Sequence, residues 1–232
     1  MLSRPITLLF IAALLTTCDD RGGSDRPATA QNARPVELAT RNPSKSPADA
    51  GTTGASAELS AEGTDSLTYE TTLDYFGIGF HVVASGEGSI GTVTITPTGL
   101  ENDNAPITRE TDGPVALAEV GDLNVDGSPE IYVYTRSAGS GSYAGLIAYS
   151  ANSKKSLSEI YLPPITDDPK ASQGFMGHDE FRVVENTLVR RFPVYREGDS
   201  NAAPTGGTRQ LQYKLEAREA GWVLRVDKVV EY

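Results

Sequence analysis

From Leu67 onward, apolar and polar residues alternate along the chain, and this constrains the fold more than anything else in it. Ser89-Ile-Gly-Thr-Val-Thr-Ile-Thr96 is an almost pure period-2 run. Such a run suits a pleated strand with one buried face and one wet face. Leu67–Leu73, Ile78–Ala84, Val115–Val120, Glu130–Thr135, Tyr143–Ser150 and Leu157–Leu162 are strand-like in the same way. So are Glu180–Glu185, Thr187–Val194, Arg209–Glu216 and Trp222–Tyr232, rich in β-branched and aromatic residues. Gly86-Glu87-Gly88, Glu185-Asn186 and Glu219-Ala-Gly221 supply tight-turn chemistry between neighbouring runs. No stretch carries a sustained i, i+3, i+4 apolar face, and no βαβ alternation occurs. The expected fold is all-β: an antiparallel sandwich or barrel of about eight or more strands.

The large side chains set the domain boundary. All ten tyrosines, Trp222 and every phenylalanine except Phe10 lie beyond residue 65, so residues 66–232 form the expected folded domain. Residues 1–18 have the make-up of an export signal: Arg4, then the apolar run Ile6–Leu15, too short to span a bilayer comfortably. Leu15-Thr16-Thr17-Cys18 resembles a bacterial lipobox, which makes Cys18 the expected lipidation site. Thr17 departs from the usual small residue there, and an ordinary cleaved signal peptide is the alternative. Cys18 is the only cysteine, so the domain has to be stable without an internal disulfide. Asp19 and Asp20 follow it, an acidic pair that resembles an inner-membrane retention signal of enterobacterial lipoproteins. Residues 19–65 hold no aromatic residue and only Val36, Leu38 and Leu59 as large aliphatics. That composition cannot offset its ordering entropy, and the segment is expected to be a tether with a root-mean-square span on the order of 40 Å.

The formal net charge is −11, and removal of Arg4 with the signal takes it to about −12. This argues against nucleic acid as a partner. An acidic exported domain is steered toward a basic protein, although acidity also serves solubility alone.

Two turns between strands carry most of the chemistry. Asp122-x-Asn124-x-Asp126-Gly127-x-x-Glu130 places oxygens at alternate positions like the front half of a calcium loop. An EF-hand also needs a bidentate Glu at its twelfth position, where Val133 stands. An Asx-rich hairpin, its carboxylates bonded to backbone N–H groups, is the reading favoured by that gap. The second turn, Ser137-Ala-Gly-Ser-Gly-Ser-Tyr143, has no phosphate-loop spacing and no following lysine. It ends in Tyr143, a rigid aromatic beside adaptable polar groups, the combination used by recognition loops. A plain flexible connection is the alternative. Arg136 stands just before it, able to pair with a partner's carboxylate or simply to be solvated. The two histidines, His81 and His178, give little basis for a catalytic serine. His81 falls inside a strand pattern and is expected to be structural. His178, Asp179 and Glu180 form a polar cluster for which a metal or acid/base role is conceivable.

Gly121–Tyr143, Gly177-His-Asp-Glu-Phe181, Arg190-Arg-Phe-Pro-Val-Tyr195 and Val229-Val-Glu-Tyr232 together resemble bacterial periplasmic inhibitors of invertebrate-type (I-type) lysozyme. The resemblance covers the folded domain, best from about Val115 to the end. It implies a β-sandwich of about eight strands, exported to the periplasm and often a homodimer. Its exposed loop enters the lysozyme active-site cleft. The inhibitory serine and tyrosine, three residues apart, map onto Ser140 and Tyr143, with Gly139, Gly141, Ser142 and Arg136 beside them. The expected function is lysozyme inhibition without catalysis or a cofactor. The alternatives are a calcium-binding adhesion or scaffolding lipoprotein built on Asp122, Asn124, Asp126 and Glu130, and a hydrolase using His178, Asp179 and Glu180.

Overall fold

The computed structural model describes residues 66–232. The expected export signal with Cys18 (residues 1–18) and the expected tether (residues 19–65) lie outside the described residues.

Four strands form a first sheet: β1 (Leu67–Tyr75), β2 (Ile78–Glu87), β3 (Ile90–Thr98) and β4 (Ile107–Thr111), paired in chain order. Eight more form the second: β5 (Val115–Gly121), β6 (Glu130–Arg136), β7 (Ala144–Asn152), β8 (Ser156–Tyr161), β9 (Glu180–Val184), β10 (Thr187–Pro193), β11 (Thr208–Arg218) and β12 (Gly221–Glu231). Their spatial order is β5-β6-β7-β8-β12-β11-β10-β9. The all-β expectation holds, with two corrections. β4 escaped the alternation reading because Ile107 is its only large apolar residue. The pairing is also not wholly antiparallel: β8 and β12 run parallel, Trp222 opposite Ile160 and Val223 opposite Tyr161.

The second sheet curls until its edge strands meet, which makes it nearly a closed barrel. The seam between β5 and β9 is joined by a side chain: the Glu119 carboxylate accepts from the Val183 N–H at 2.9 Å and from the Tyr134 hydroxyl at 2.8 Å. Burial, with that carboxylate beside it, pushes the Tyr134 phenol well above its ordinary range, so it remains a donor. Gly121 sits at the same seam, where a Cβ would come within 3.1 Å of Val183.

Alternation sorts β6 onto two cores. Ile131 and Val133 face the first sheet and join Phe80, Val82, Val93 and Ile95; Tyr132 and Tyr134 face the barrel interior with Phe181, Phe192, Leu211 and Leu224. Because both faces are covered, the strand is buried from Glu130 to Thr135. Each such large apolar side chain contributes roughly 1.5–3 kcal/mol by leaving water.

One end of the barrel is capped by the connection from β8 to β9. It holds a 3-10 turn (Ile165–Asp167) and one short helix, α1 (Pro169–Ser172), an element absent from the sequence expectation. Asp168 caps α1 by accepting from the Lys170 and Ala171 N–H groups, and Pro169 takes the first helical position, where no donor is needed. Arg209 on β11 ties the connection down. It donates to the carbonyls of Lys170, Ala171 and Gln173 and pairs with Glu231 at 2.6 Å. The chain then continues through Gly174-Phe-Met-Gly-His178 to β9.

Candidate functional site

The Ser137–Tyr143 turn is closed at its base by reciprocal bonds. The Ser137 N–H donates to the Tyr143 carbonyl at 2.8 Å, and the Tyr143 N–H donates to Ser137 Oγ at 2.9 Å. Inside, the Ser142 N–H donates to the Gly139 carbonyl at 2.9 Å. Ser142 takes a left-handed backbone (φ 44), and Arg136 Nη1 donates to its Oγ at 3.1 Å. Arg136, offered above as a contact residue or a solvated one, is exposed and buttresses the turn.

Two other segments hold the loop from outside. The His178 N–H donates to the Gly141 carbonyl at 2.7 Å, and Asn201 Nδ2 donates to the Ser140 carbonyl at 2.7 Å. Gly177 permits the first contact. Its φ is +91°, and a Cβ there would collide with the Gly141 carbonyl oxygen and stand 3.1 Å from the Tyr143 ring. With Ser140 and Gly141 carbonyls drawn inward, the Ser140 side chain is left exposed. Tyr143 is 48% exposed, but the base of its ring meets Phe175 edge-on at 5.7 Å, and Phe175 meets Phe192 at 4.9 Å. The tyrosine is thus a half-exposed aromatic set edge-on against the partly buried Phe175, which in turn rests on the buried Phe192.

A buried ion pair lies beneath. Asp179 Oδ2 accepts from Arg190 Nε at 2.7 Å, with side chains 0% and 7% exposed, and Asp179 Oδ1 accepts the Ala144 N–H at 3.0 Å. The Arg190 guanidinium lies over the Phe175 and Phe181 rings. Asp179 therefore fixes the strand leaving the loop to the barrel interior. Gly139, Ser140, Gly141, Ser142, Tyr143 and Arg136 do form one assembly, and the structure adds Phe175, Gly177, His178 and Asn201 to it.

The other residues singled out from sequence are placed elsewhere or otherwise. His178, Asp179 and Glu180 do not converge. The His178 ring meets Asn201 Oδ1 at 3.2 Å, Asp179 points into the barrel, and Glu180 is exposed on β9. His81 lies on the outer face of the first sheet, partly exposed, where it meets Glu70 at 2.9 Å.

In the acidic turn, Asp122 accepts from the Asp126 and Gly127 N–H groups at 3.0 and 2.9 Å, and Asp126 accepts from the Ser128 N–H at 2.7 Å. Asn124 Nδ2 donates to Asp126 at 2.8 Å. These bonds account for the turn as an Asx-rich hairpin. Glu130 points inward and is fully buried, accepting from the Leu123 N–H at 2.8 Å and the Ser150 hydroxyl at 3.3 Å. Burial, with Asp122 and Asp126 adding to it, pushes its carboxyl up to about 8. Among the described residues, no group of three or more His, Cys, Asp or Glu side chains is arranged to hold a metal ion.

Asn201 was missed from sequence. Its neighbourhood, Gly198-Asp-Ser-Asn-Ala-Ala-Pro204, has only turn chemistry, and nothing local signals a partner 61 positions away. Compared with known proteins, the chain matches no family model, no curated protein and no solved structure.

Proposed function

We propose that this protein is a proteinaceous inhibitor of lysozyme, the invertebrate type first, and that the Ser137–Tyr143 loop is the part that enters the enzyme's cleft. The supporting observation is the clamped state of that loop. Its carbonyls are tied to His178 and Asn201, while the Ser140 side chain and half of Tyr143 face solvent. A recognition element held in shape before contact loses little entropy on binding, and that saving appears as affinity.

The loop's chemistry suits the target. A glycosidase cleft carries two carboxyl groups that work on sugar hydroxyls. The loop brings hydroxyls, backbone N–H groups and an aromatic ring, and no acidic side chain. The chain's net charge of −11 would hasten encounter with a basic enzyme, most at low salt. Calcium-dependent adhesion has no comparable support, because the oxygens of the acidic turn serve its own backbone and Glu130 faces inward.

The test is a cell-wall lysis assay in which I-type, C-type and G-type lysozymes are titrated with the purified protein. Inhibition of the I-type enzyme is expected, and Tyr143→Ala is expected to weaken it at least about 30-fold with the melting temperature kept. An unchanged inhibition constant for that variant would overturn the loop assignment. Absence of inhibition by the unaltered protein against all three enzymes would overturn the function.

A further inference from the structure

Gly139-Ser140-Gly141 is the most flexible tripeptide in the loop by composition, and its order therefore needs an external cause. Ordering such residues carries a backbone-entropy cost, and glycine loses the most. The reciprocal Ser137–Tyr143 bonds close the base but do not reach the tip. The Ser142 N–H to Gly139 carbonyl bond spans the tip from within, and two bonds hold it from outside: His178 N–H to the Gly141 carbonyl and Asn201 Nδ2 to the Ser140 carbonyl, both 2.7 Å. They fix two consecutive peptide planes, and with them the backbone of Gly141 and the direction of the Ser140 side chain.

The Asn201 side chain bonds to both the loop and the His178 segment. While its Nδ2 holds Ser140, its Oδ1 meets His178 Nε2 at 3.2 Å, and its carbonyl accepts from the Tyr195 hydroxyl at 2.9 Å. Its own loop is braced by Asp199, which accepts from the Arg196 N–H (2.7 Å), the Thr205 N–H (2.8 Å) and the Thr205 hydroxyl (2.9 Å). Tyr195 is 7% exposed, so its hydroxyl ties the Asn201 backbone to a buried ring.

We infer that Asn201 is the positioning residue of the recognition loop: its side-chain amide sets how Ser140 is presented and holds the loop against the His178 segment. The inference rests on the inhibitor reading for its consequence, but its mechanical content stands without any lysozyme. Asn201 touches the loop through the Ser140 backbone, so it acts through Ser140 and Tyr143.

The experiment compares the full-length protein with Asn201→Ala, Asn201→Asp and the remote control Asn186→Ala. Amide hydrogen exchange at Ser142 and His178 is read first, since their N–H groups donate to the Gly139 and Gly141 carbonyls. Both amides are expected to exchange about tenfold faster in Asn201→Ala, with barrel amides such as those of Val133 and Leu211 unchanged. Asn201→Asp keeps the acceptor toward His178 and loses the donor toward Ser140, so it is expected to loosen Ser142 as much. Inhibition of I-type lysozyme is expected to weaken about tenfold in both variants and in neither respect to change for Asn186→Ala. Unchanged exchange at Ser142 and His178 would overturn the positioning role. Faster exchange with an unchanged inhibition constant would overturn the consequence drawn for binding, because loop order would then not matter to it. If the unaltered protein inhibits no lysozyme, the proposed function fails, and exchange alone decides whether Asn201 positions the loop.

Discussion

Glu130→Gln is the sharpest test of the energetics of this fold. The carboxyl of Glu130 is fully buried on β6, and burial raises it from an ordinary value of 4.5 to about 8. Below pH 4.5 it is protonated whether the chain is folded or not, and its favourable contribution is fully present. Between 4.5 and 8 the unfolded chain sheds the proton and the folded one keeps it. Stability therefore falls as pH rises through that window, and the loss is complete once the folded carboxyl ionises. At pH 7 the deficit from this single group comes to about 3 kcal/mol.

Glutamine reproduces the neutral form. Its Oε1 can take the Leu123 N–H and the Tyr132 hydroxyl, and its amide nitrogen can donate to Ser150 Oγ, so all three contacts survive. Urea unfolding of the two proteins from pH 4 to pH 9 is the assay. Near pH 4 the curves are expected to coincide. At pH 7 the glutamine protein is expected to be more stable by about 3 kcal/mol, a rise in melting temperature of roughly 6–12 °C for a domain of this size. The reasoning is refuted if glutamine is equal or worse at every pH. Glu130 would then be ionised in the folded state, and the acidic turn would depend on its charge.

Two further variants test the support beneath the Ser137–Tyr143 loop. Asp179→Ala leaves the Arg190 guanidinium buried without its partner and the Ala144 N–H without an acceptor, so a loss of about 3–5 kcal/mol is expected in thermal or urea unfolding. A loss under about 1 kcal/mol would mean that the pair is not desolvated. Gly177→Ala drives a methyl group into the Gly141 carbonyl at a left-handed backbone position, and is expected to cost about 1–3 kcal/mol and to weaken lysozyme inhibition with Ser140 and Tyr143 still in place. Unchanged inhibition there would show that the His178 segment does not shape the loop.

The parts of this molecule legible in its sequence are those set by local alternation. Eleven strand-like runs fall on strands because a period of two is a property of neighbouring residues, and each wet face could be read without its partner. Ile107–Thr111 escaped because an edge strand with one large apolar residue carries too little alternation. The parallel contact of β8 with β12 escaped because it joins Ile160 to Trp222 across the fold. β6 was legible as a strand but not as one buried on both faces. Val133 and Tyr132 are equally apolar on paper, and only the first sheet and the closed barrel divide them between two cores.

The candidate site divides in the same way. Tyr143 was readable as an aromatic anchor in a small-residue turn, and Ser140 was singled out only by the resemblance to lysozyme inhibitors. What holds them was not, since Asn201, Gly177 and Asp179 act through backbone carbonyls and buried charges supplied by other strands. His178 illustrates the difference. In sequence, its neighbours Asp179 and Glu180 suggest an acid/base cluster. In the fold, its backbone N–H does the holding from a left-handed position (φ 54), the aspartate turns inward to Arg190, and the glutamate, the first residue of β9, turns outward. Only Glu180 lies on the strand, so the left-handed backbone at His178 and the pairing of Asp179 with buried Arg190 are what separate three side chains that the sequence sets side by side.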